Sequence, residues 1–151
     1  MIDKLFIGTA LGQRTITIEE GAVRFYAKAI GETDPIYTDV DAARAAGYRS
    51  LRVPPTYLSC LETQAFPSRD VLKLVGMELK RILHAEQAYT YHAPVCAGDA
   101  LSFESRIADI YEKKDGALEF LIKETRVTNQ DGVHVADLRS TVVQRHIKGA
   151  N

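Results

Sequence analysis

The sequence predicts an α+β fold in which an antiparallel sheet wraps around one buried helix, and three observations support this prediction. Apolar residues in the first third recur at helical spacing, a segment beginning near residue 54 is largely apolar, and the chain from residue 82 alternates apolar and polar residues between Asp-Gly pairs. The 151 residues are enough to form one domain with a sizeable core. We therefore expect a single domain over residues 1–151.

The first predicted helix follows a short strand at Thr15–Ile18, where β-branched residues favour extended structure. Thr17 and Glu20 have the spacing of a capping box at the start of this helix. Its buried face is predicted at Val23, Tyr26, Ala27 and Ile30. Gly31 is expected to end it, because glycine adopts the left-handed conformation at little steric cost.

An acidic elbow follows Gly31 and leads to a second helix. Asp34-Pro35 forces an extended step, because proline disfavours the helical conformation for the residue before it. Thr38 with Asp41 is the predicted cap of the second helix, which is expected to stop at Gly47. An exposed elbow between two anchored helices favours chemistry, although Asp34-Pro35 could instead serve only to shape the turn.

The buried helix is predicted from Pro54 to about Gln64, since proline suits the first turn of a helix and the segment has few charges. Phe66–Asp70 is typical of a loop. Residues 71–81 fit either a short helix or a loop, because Gly76 interrupts the pattern.

Four strands are predicted to follow as an antiparallel meander, at 82–93, 101–107, 118–129 and 133–145. Turns are expected at Ala97–Asp99, Asp115-Gly116 and Asp131-Gly132. One sheet face and the edge strands would remain uncovered, so a dimer is expected.

Composition excludes several classes of function. The formal net charge of -1 argues against a broad nucleic-acid footprint. No apolar run approaches the roughly 20 residues that cross a bilayer, and the first residues lack the features of a signal peptide, so a cytoplasmic location is expected. Cys60 and Cys96 are predicted to be buried free thiols, and no metal site is predicted, because no His/Cys cluster has zinc spacing.

The stretch from Tyr26 to Ala43 resembles the motif of the MaoC-like (R)-specific enoyl-CoA hydratases and 3-hydroxyacyl dehydratases. That motif has an aromatic residue, then Gly-Asp-x-Asn-Pro-aliphatic-His, and a small residue further on. The matching positions here are Tyr26, Gly31, Pro35, Ile36 and Ala43. Similar later stretches are Val53–Thr56, Leu83–Gln87, Tyr91–Pro94, Ala97–Asp99 and Val127–Gly132. The resemblance covers nearly the whole chain, is greatest to the FAS1-type dehydratase N-terminal domain group, and implies a hot-dog fold.

The resemblance also implies an active site at the elbow, where three positions depart from the motif. The catalytic aspartate of the family falls on Glu32, its asparagine on Asp34 and its histidine on Tyr37. In the family, the aspartate and histidine together activate the water that adds to, or leaves from, the β-carbon of the thioester. Glu32 could act as a base if burial raised its pKa, and Tyr37 could donate a hydrogen bond to a substrate oxygen. Glu32 and Tyr37 are the predicted catalytic residues; the alternative is that both are solvated or rim residues.

Substrate-binding residues are predicted around the elbow. Asp34 and Pro35 belong to it, and the backbone N–H of Thr56 or Tyr57 would face the thioester oxygen, because Pro54 and Pro55 have no N–H. Thr56 could alternatively only cap the helix.

Histidines and arginines supply further candidates. His84 and His92 could lie near the site, or be structural or exposed. Arg49 and Arg52, with Lys73, Lys80 and Arg81, could pair with the phosphates of a CoA or acyl-carrier arm, or be scattered surface charges. No role is predicted for His134 or His146.

The predicted function is that of a hydro-lyase of 3-hydroxyacyl or 2-enoyl thioesters, carried on CoA or acyl-carrier protein, with no cofactor. The chain would act either as a homodimer using its own Glu32 and Tyr37 or as the substrate-binding half of a heterodimer whose partner supplies the Asp/His pair. The alternatives are a non-catalytic acyl-thioester binding module and a thioesterase, for which Glu62 is the one available acid in the buried helix. Neither nucleic acid nor membrane is an expected partner.

Overall fold

The computed structural model describes residues 1–146, which form one five-stranded antiparallel sheet and four helices. The helices are α1 (Glu20–Ala29), α2 (Val40–Ala45), α3 (Tyr57–Ala65) and α4 (Ser68–Val75). The strands are β1 (Ala10–Thr17), β2 (Ile82–Tyr91), β3 (Ala100–Lys113), β4 (Leu118–Thr128) and β5 (His134–Arg145). The final five residues, 147–151, lie outside the described part. Within residues 1–146, no helix combines the length and apolarity needed to cross a bilayer.

The main core lies between α3 and one face of the sheet. Leu58 and Leu61 of α3 are each 2% exposed, and they belong to one cluster with Phe103 of β3, Val127 of β4 and Leu138 of β5. Strand residues facing this cluster alternate with polar residues facing away, as expected for a half-buried antiparallel sheet. The predicted α+β hot-dog architecture, with a sheet around a central buried helix, is confirmed.

The sheet order is β1-β3-β4-β5-β2, so the predicted four-strand meander is wrong for β2. Only β3, β4 and β5 follow one another as hairpins, whereas β2 pairs with β5 at the far edge. The turn predicted at Ala97–Asp99 is present, since the N–H of Asp99 donates to the Cys96 carbonyl at 3.1 Å, but it does not join two paired strands. Its residues bond instead to distant segments: Ala97 donates to the Leu51 carbonyl at 2.9 Å and Gly98 to the Ile18 carbonyl at 2.8 Å. These long-range hydrogen bonds fix the segment that connects β2, at one edge of the sheet, to β3, which lies beside the other edge strand, β1.

Two predicted helix caps are wrong. α1 begins after Glu19 with no side-chain cap, so Thr17 and Glu20 form no capping box. α2 is capped by Asp39, whose carboxylate accepts from the N–H groups of Asp41 and Ala42 at 2.8 and 3.3 Å. Thr38 and Asp39 are both good cap residues. Asp39 takes the role because Thr38 closes the short 3₁₀ turn Pro35–Tyr37.

Several other boundaries also differ from prediction. The first strand is longer than expected, and α3 starts at Tyr57 rather than Pro54. Ile30 lies at the end of α1 and is 49% exposed, so it does not join the buried face. Gly31 does adopt a left-handed conformation, with φ of 73°, as predicted.

The ambiguous segment 71–81 contains the second half of α4, which ends at the left-handed residue Gly76. Val71, Leu72 and Val75 of α4 are buried in a second, smaller core with Ile107 and Leu121 of the sheet. Of the two thiols, Cys96 is buried as predicted, but Cys60 is exposed, because it lies on the α3 face that turns away from the sheet.

Candidate functional site

The elbow between α1 and α2 is held by its own carboxylates. Glu32 Oε1 accepts hydrogen bonds from the backbone N–H groups of Thr33 and Asp34, at 2.8 and 3.0 Å. Asp34 Oδ1 in turn accepts from the N–H of Ile36 at 3.0 Å, which starts the short turn containing Pro35. One oxygen of Glu32 is therefore engaged by the backbone of the loop that carries it.

Tyr37 takes the position at which the resemblance places a histidine. Its side chain is half-buried, and burial raises its pKa above the ordinary value of 10.0. The positive charge of Arg52 opposes this effect, whereas the charges of Glu32 and Asp34 add to it. The phenol consequently stays protonated at neutral pH and can donate a hydrogen bond, but its pKa is poorly matched to proton transfer.

Four tyrosines line the surface between the elbow, α3 and β2, and we call them the tyrosine cluster: Tyr26, Tyr57, Tyr89 and Tyr91. The rings of Tyr26 and Tyr57 have centroids 4.7 Å apart, and those of Tyr89 and Tyr91 stack at 5.7 Å. Burial raises the pKa of Tyr91 to about 12, with a smaller contribution from Tyr89. The cluster thus presents apolar ring faces with neutral hydroxyl groups, a surface suited to an acyl chain with polar groups at its end.

The start of α3 places two candidates side by side. The Thr56 hydroxyl bonds to the Tyr26 hydroxyl at 2.8 Å and makes no cap bond to α3, so its predicted capping alternative is wrong. The N–H of Tyr57 already donates to the Pro54 carbonyl at 2.9 Å. Within residues 1–146, the N–H of Thr56 has no acceptor, which leaves it free for a substrate oxygen.

Arg52 connects the elbow to the rest of the fold. Its N–H donates to the carbonyl of Ile36 at 3.0 Å, and its guanidinium lies over the ring of Tyr48 at 5.3 Å. The positive charge of Arg52 acts to lower the pKa of both Tyr37 and Tyr91, as expected for a side chain beside the elbow and the tyrosine cluster. Within the described residues, the buried Nη1 atom of Arg52 has no hydrogen-bond partner. A buried unpaired donor is costly, which favours a ligand oxygen at this point.

Arg49 differs from Arg52, because its guanidinium is paired with the buried carboxylate of Asp99. Asp99 is 1% exposed and also accepts from the N–H of Cys96 at 2.9 Å. Arg49 therefore anchors the segment that leads into β3.

His84 lies far from the elbow within this chain. It precedes Tyr91 by seven positions along β2, which corresponds to about 23 Å of extended strand. The structure thus brings Glu32, Asp34, Pro35, Tyr37, Thr56, Tyr57 and Arg52 together and leaves Arg49 and His84 apart. Tyr89 and Tyr91 were not predicted as site residues, although their positions two apart on a predicted strand place both rings on one face.

The central helix contains one acid, Glu62, which is buried, although its charge adds to the raised pKa of Tyr89. It is 3% exposed, accepts a hydrogen bond from Thr125, and lies 3.3 Å from the ammonium of Lys123. A carboxylate enclosed by these partners cannot hold a hydrolytic water in an open site. Its position argues against the thioesterase alternative.

A family model described as the FAS1-like dehydratase domain region matches residues 5–138. The chain belongs to this family. A UPF0336 protein of Saccharopolyspora erythraea is 32% identical over 146 residues, covering 95% of this chain and 92% of that protein. The resemblance drawn from the elbow motif is therefore confirmed at the level of the family.

Two solved structures are similar in fold. C-terminally truncated HadBC, a 3R-hydroxyacyl-ACP dehydratase complex from Mycobacterium tuberculosis, matches with a TM-score of 0.80 and 23% identity over 91% of this chain and 96% of that one. A MaoC-like dehydratase matches with a TM-score of 0.77 and 24% identity, covering 93% of this chain but 42% of that one. That second protein is thus long enough to contain two units of this size.

Proposed function

We propose that this chain is the substrate-binding half of a MaoC-like hydro-lyase acting on 3-hydroxyacyl or 2-enoyl thioesters, and that a partner subunit supplies the acid-base pair. The observation that carries this proposal is an elbow with an intact frame in which Tyr37 stands at the family's histidine position and one oxygen of Glu32 accepts backbone hydrogen bonds. Tyr37 has a raised pKa, and the carboxylate of Glu32 is engaged by the elbow backbone. Addition of water to an enoyl thioester needs a base and an acid matched to the working pH.

Groups suited to binding a thioester support the proposal. The tyrosine cluster offers ring surface for an acyl chain, and the free N–H of Thr56 at the start of α3 can donate to a thioester oxygen. The unpaired Nη1 of Arg52 adds a charged donor for an oxygen or phosphate of the thioester carrier. These groups bind and orient a substrate without transferring a proton.

A partner of the same fold is supported by the edge strand and by the solved relatives. Among the described residues, β2 has one neighbour in the sheet, β5, and its Leu83 is 67% exposed. An unpaired apolar edge is a template for another strand. HadBC is a complex of such subunits, and the MaoC-like dehydratase has the length for two units in one chain.

Hydration of a short-chain 2-enoyl-CoA tests this proposal. The purified chain alone should show no turnover, and turnover should appear when it is mixed with a MaoC-like chain that carries the intact Asp/His pair. Replacing the aspartate of that second chain with asparagine should abolish the activity of the mixture.

Two outcomes would contradict the proposal. Rapid turnover by the chain alone, lost in Glu32→Gln, would establish a homodimeric enzyme instead. Binding of the thioester without turnover, alone and in every mixture, would leave a non-catalytic binding module.

A further inference from the structure

His92, His134 and Asp137 meet on the sheet face that points away from α3. The Nε2 atom of His92 lies 2.8 Å from Asp137 Oδ2, and the Nε2 atom of His134 lies 2.8 Å from Asp137 Oδ1. The two imidazole rings have centroids 4.2 Å apart. One ligand atom from each of the three residues therefore lies within 4.8 Å of the others.

An irregularity in β5 produces this convergence. Val127 of β4 pairs with Ala136, but the next residue, Thr128, pairs with His134, so Val135 is an extra residue in β5. Val135 and Ala136 are both buried, which breaks the alternation of the strand. Without the bulge, His134 would share the inner face with Ala136; with it, His134 turns to the outer face and meets Asp137. Bulges of this kind commonly redirect a side chain next to a functional site.

His92 reaches the same point from the end of β2. It follows Tyr91 directly, and its N–H donates to the Val135 carbonyl at 2.9 Å, so the bulge residue fixes its backbone. The same carbonyl accepts from the N–H of Ala93 at 3.3 Å. Two separate segments are thus tied to one bulge, which fixes the relative positions of all three side chains.

We propose that His92, His134 and Asp137 form a binding site for a divalent first-row transition-metal ion, with Zn²⁺ as the expected occupant. Two imidazole nitrogens and one carboxylate oxygen form a donor set that suits zinc and its neighbours rather than Mg²⁺ or Ca²⁺, which prefer oxygen ligands. Metal–ligand bonds of about 2 Å require the Nε2 atoms to turn from the carboxylate and the three side chains to close slightly around a shared ion. Remaining coordination positions would be completed by water.

The surroundings of the three side chains suit such an ion. The exposed fractions of the His92, His134 and Asp137 side chains are 38, 25 and 47%, so an ion can reach them from solvent. Asp137 also lines a groove of about 620 Å³ on this outer face, so the ion would lie beside a cavity distinct from the tyrosine cluster.

Zinc titration of the full chain, freed of metal by a chelator, tests the site. Calorimetry should show one Zn²⁺ bound per chain and no binding of Mg²⁺. His92→Asn and His134→Asn should each weaken Zn²⁺ binding at least about tenfold, because each removes one of three protein ligands. His84→Asn is the matched control: it removes an exposed histidine of the same strand region and should leave the affinity unchanged.

A second measurement needs no substitution. Of the four histidines in the sequence, two should show shifted imidazole nitrogen resonances on addition of one equivalent of Zn²⁺, and these should be His92 and His134. The absence of stoichiometric binding by the wild-type chain, shifts at His84 or His146 instead, or wild-type affinity in the His92→Asn/His134→Asn double variant would each overturn the proposal.

Discussion

Polar groups at and around the elbow fall into two kinds: those that hold the loop and those that remain available to a ligand. Glu32 and Asp34 belong to the first group, since each accepts backbone hydrogen bonds within the loop. Arg52 and the N–H of Thr56 belong to the second group. This division separates the groups that shape the elbow from those that can contact a ligand.

Glu32→Ala should lower the free energy of unfolding by about 1 kcal/mol, because two backbone N–H groups lose their acceptor. Glu32→Gln should cost less, since its amide oxygen can still accept both bonds. Urea unfolding of the three proteins measures the difference. Equal stability of Glu32→Ala and the wild type would show that the carboxylate does not hold the elbow.

Arg52→Met should weaken binding of an acyl-CoA roughly tenfold, because a charged hydrogen bond to the ligand is lost while the aliphatic stem is retained. Arg49→Met is the matched control. It should leave the affinity within about twofold but lower the melting temperature, because the buried Asp99 loses its ion-pair partner. Calorimetric titration and thermal unfolding give the two readouts, and an equal loss of affinity in both variants would contradict the distinction between the two arginines.

At the scale of elements, features with local causes could be predicted from sequence and those with distant partners could not. The Asp115-Gly116 and Asp131-Gly132 turns join neighbouring strands as expected, because turn geometry depends on the turn residues themselves. The position of β2 beside β5 depends on pairing across the chain, which alternation does not reveal. The bulge at Val135 is equally invisible in the pattern, so the approach of His134 to Asp137 could not be predicted from the sequence.

Only the part of the candidate site that lies within one contiguous motif could be predicted from the sequence. The elbow residues were found because the motif is contiguous from Tyr26 to Ala43. Tyr89 and Tyr91 are distant from the elbow in sequence and come close to it only in the folded chain. Arg49 and Arg52 are indistinguishable in sequence, and only the buried Asp99 separates their roles.

The stability of the fold at low pH should depend on Glu119 of β4, because its carboxylate connects the start of the chain to its last described residue. Burial alone would raise the pKa of Glu119, but hydrogen bonds from His146 and from the N–H of Ile2 outweigh burial and lower it. A carboxyl with a lower pKa in the folded state stabilises the fold above its unfolded pKa of about 4.3, and this stabilisation is lost as the pH falls through the folded value.

Glu119→Gln should therefore lose less stability than the wild type on acidification from about pH 5 to about pH 3. Urea midpoints at several pH values within this range give the comparison. Parallel curves for the two proteins would contradict the assigned role of Glu119.

For the whole molecule, the uncovered edge of β2 and the proposed division of catalysis both lead to the same expectation of a second subunit. β2 is one of the two edge strands, the other being β1, and it also carries Tyr89 and Tyr91 of the tyrosine cluster. A subunit that paired with this edge would lie next to the proposed substrate surface. The partner could then deliver its aspartate and histidine to a thioester held by this chain.

One measurement decides which subunit transfers the protons. It is the turnover of the reconstituted two-subunit enzyme in which this chain carries both Glu32→Gln and Tyr37→Phe. If this chain binds the substrate and the partner performs the proton transfers, kcat should remain within about twofold of the unsubstituted complex, with any change confined to KM. A loss of kcat of roughly a hundredfold or more would contradict the account and assign the proton transfer to this chain's own elbow.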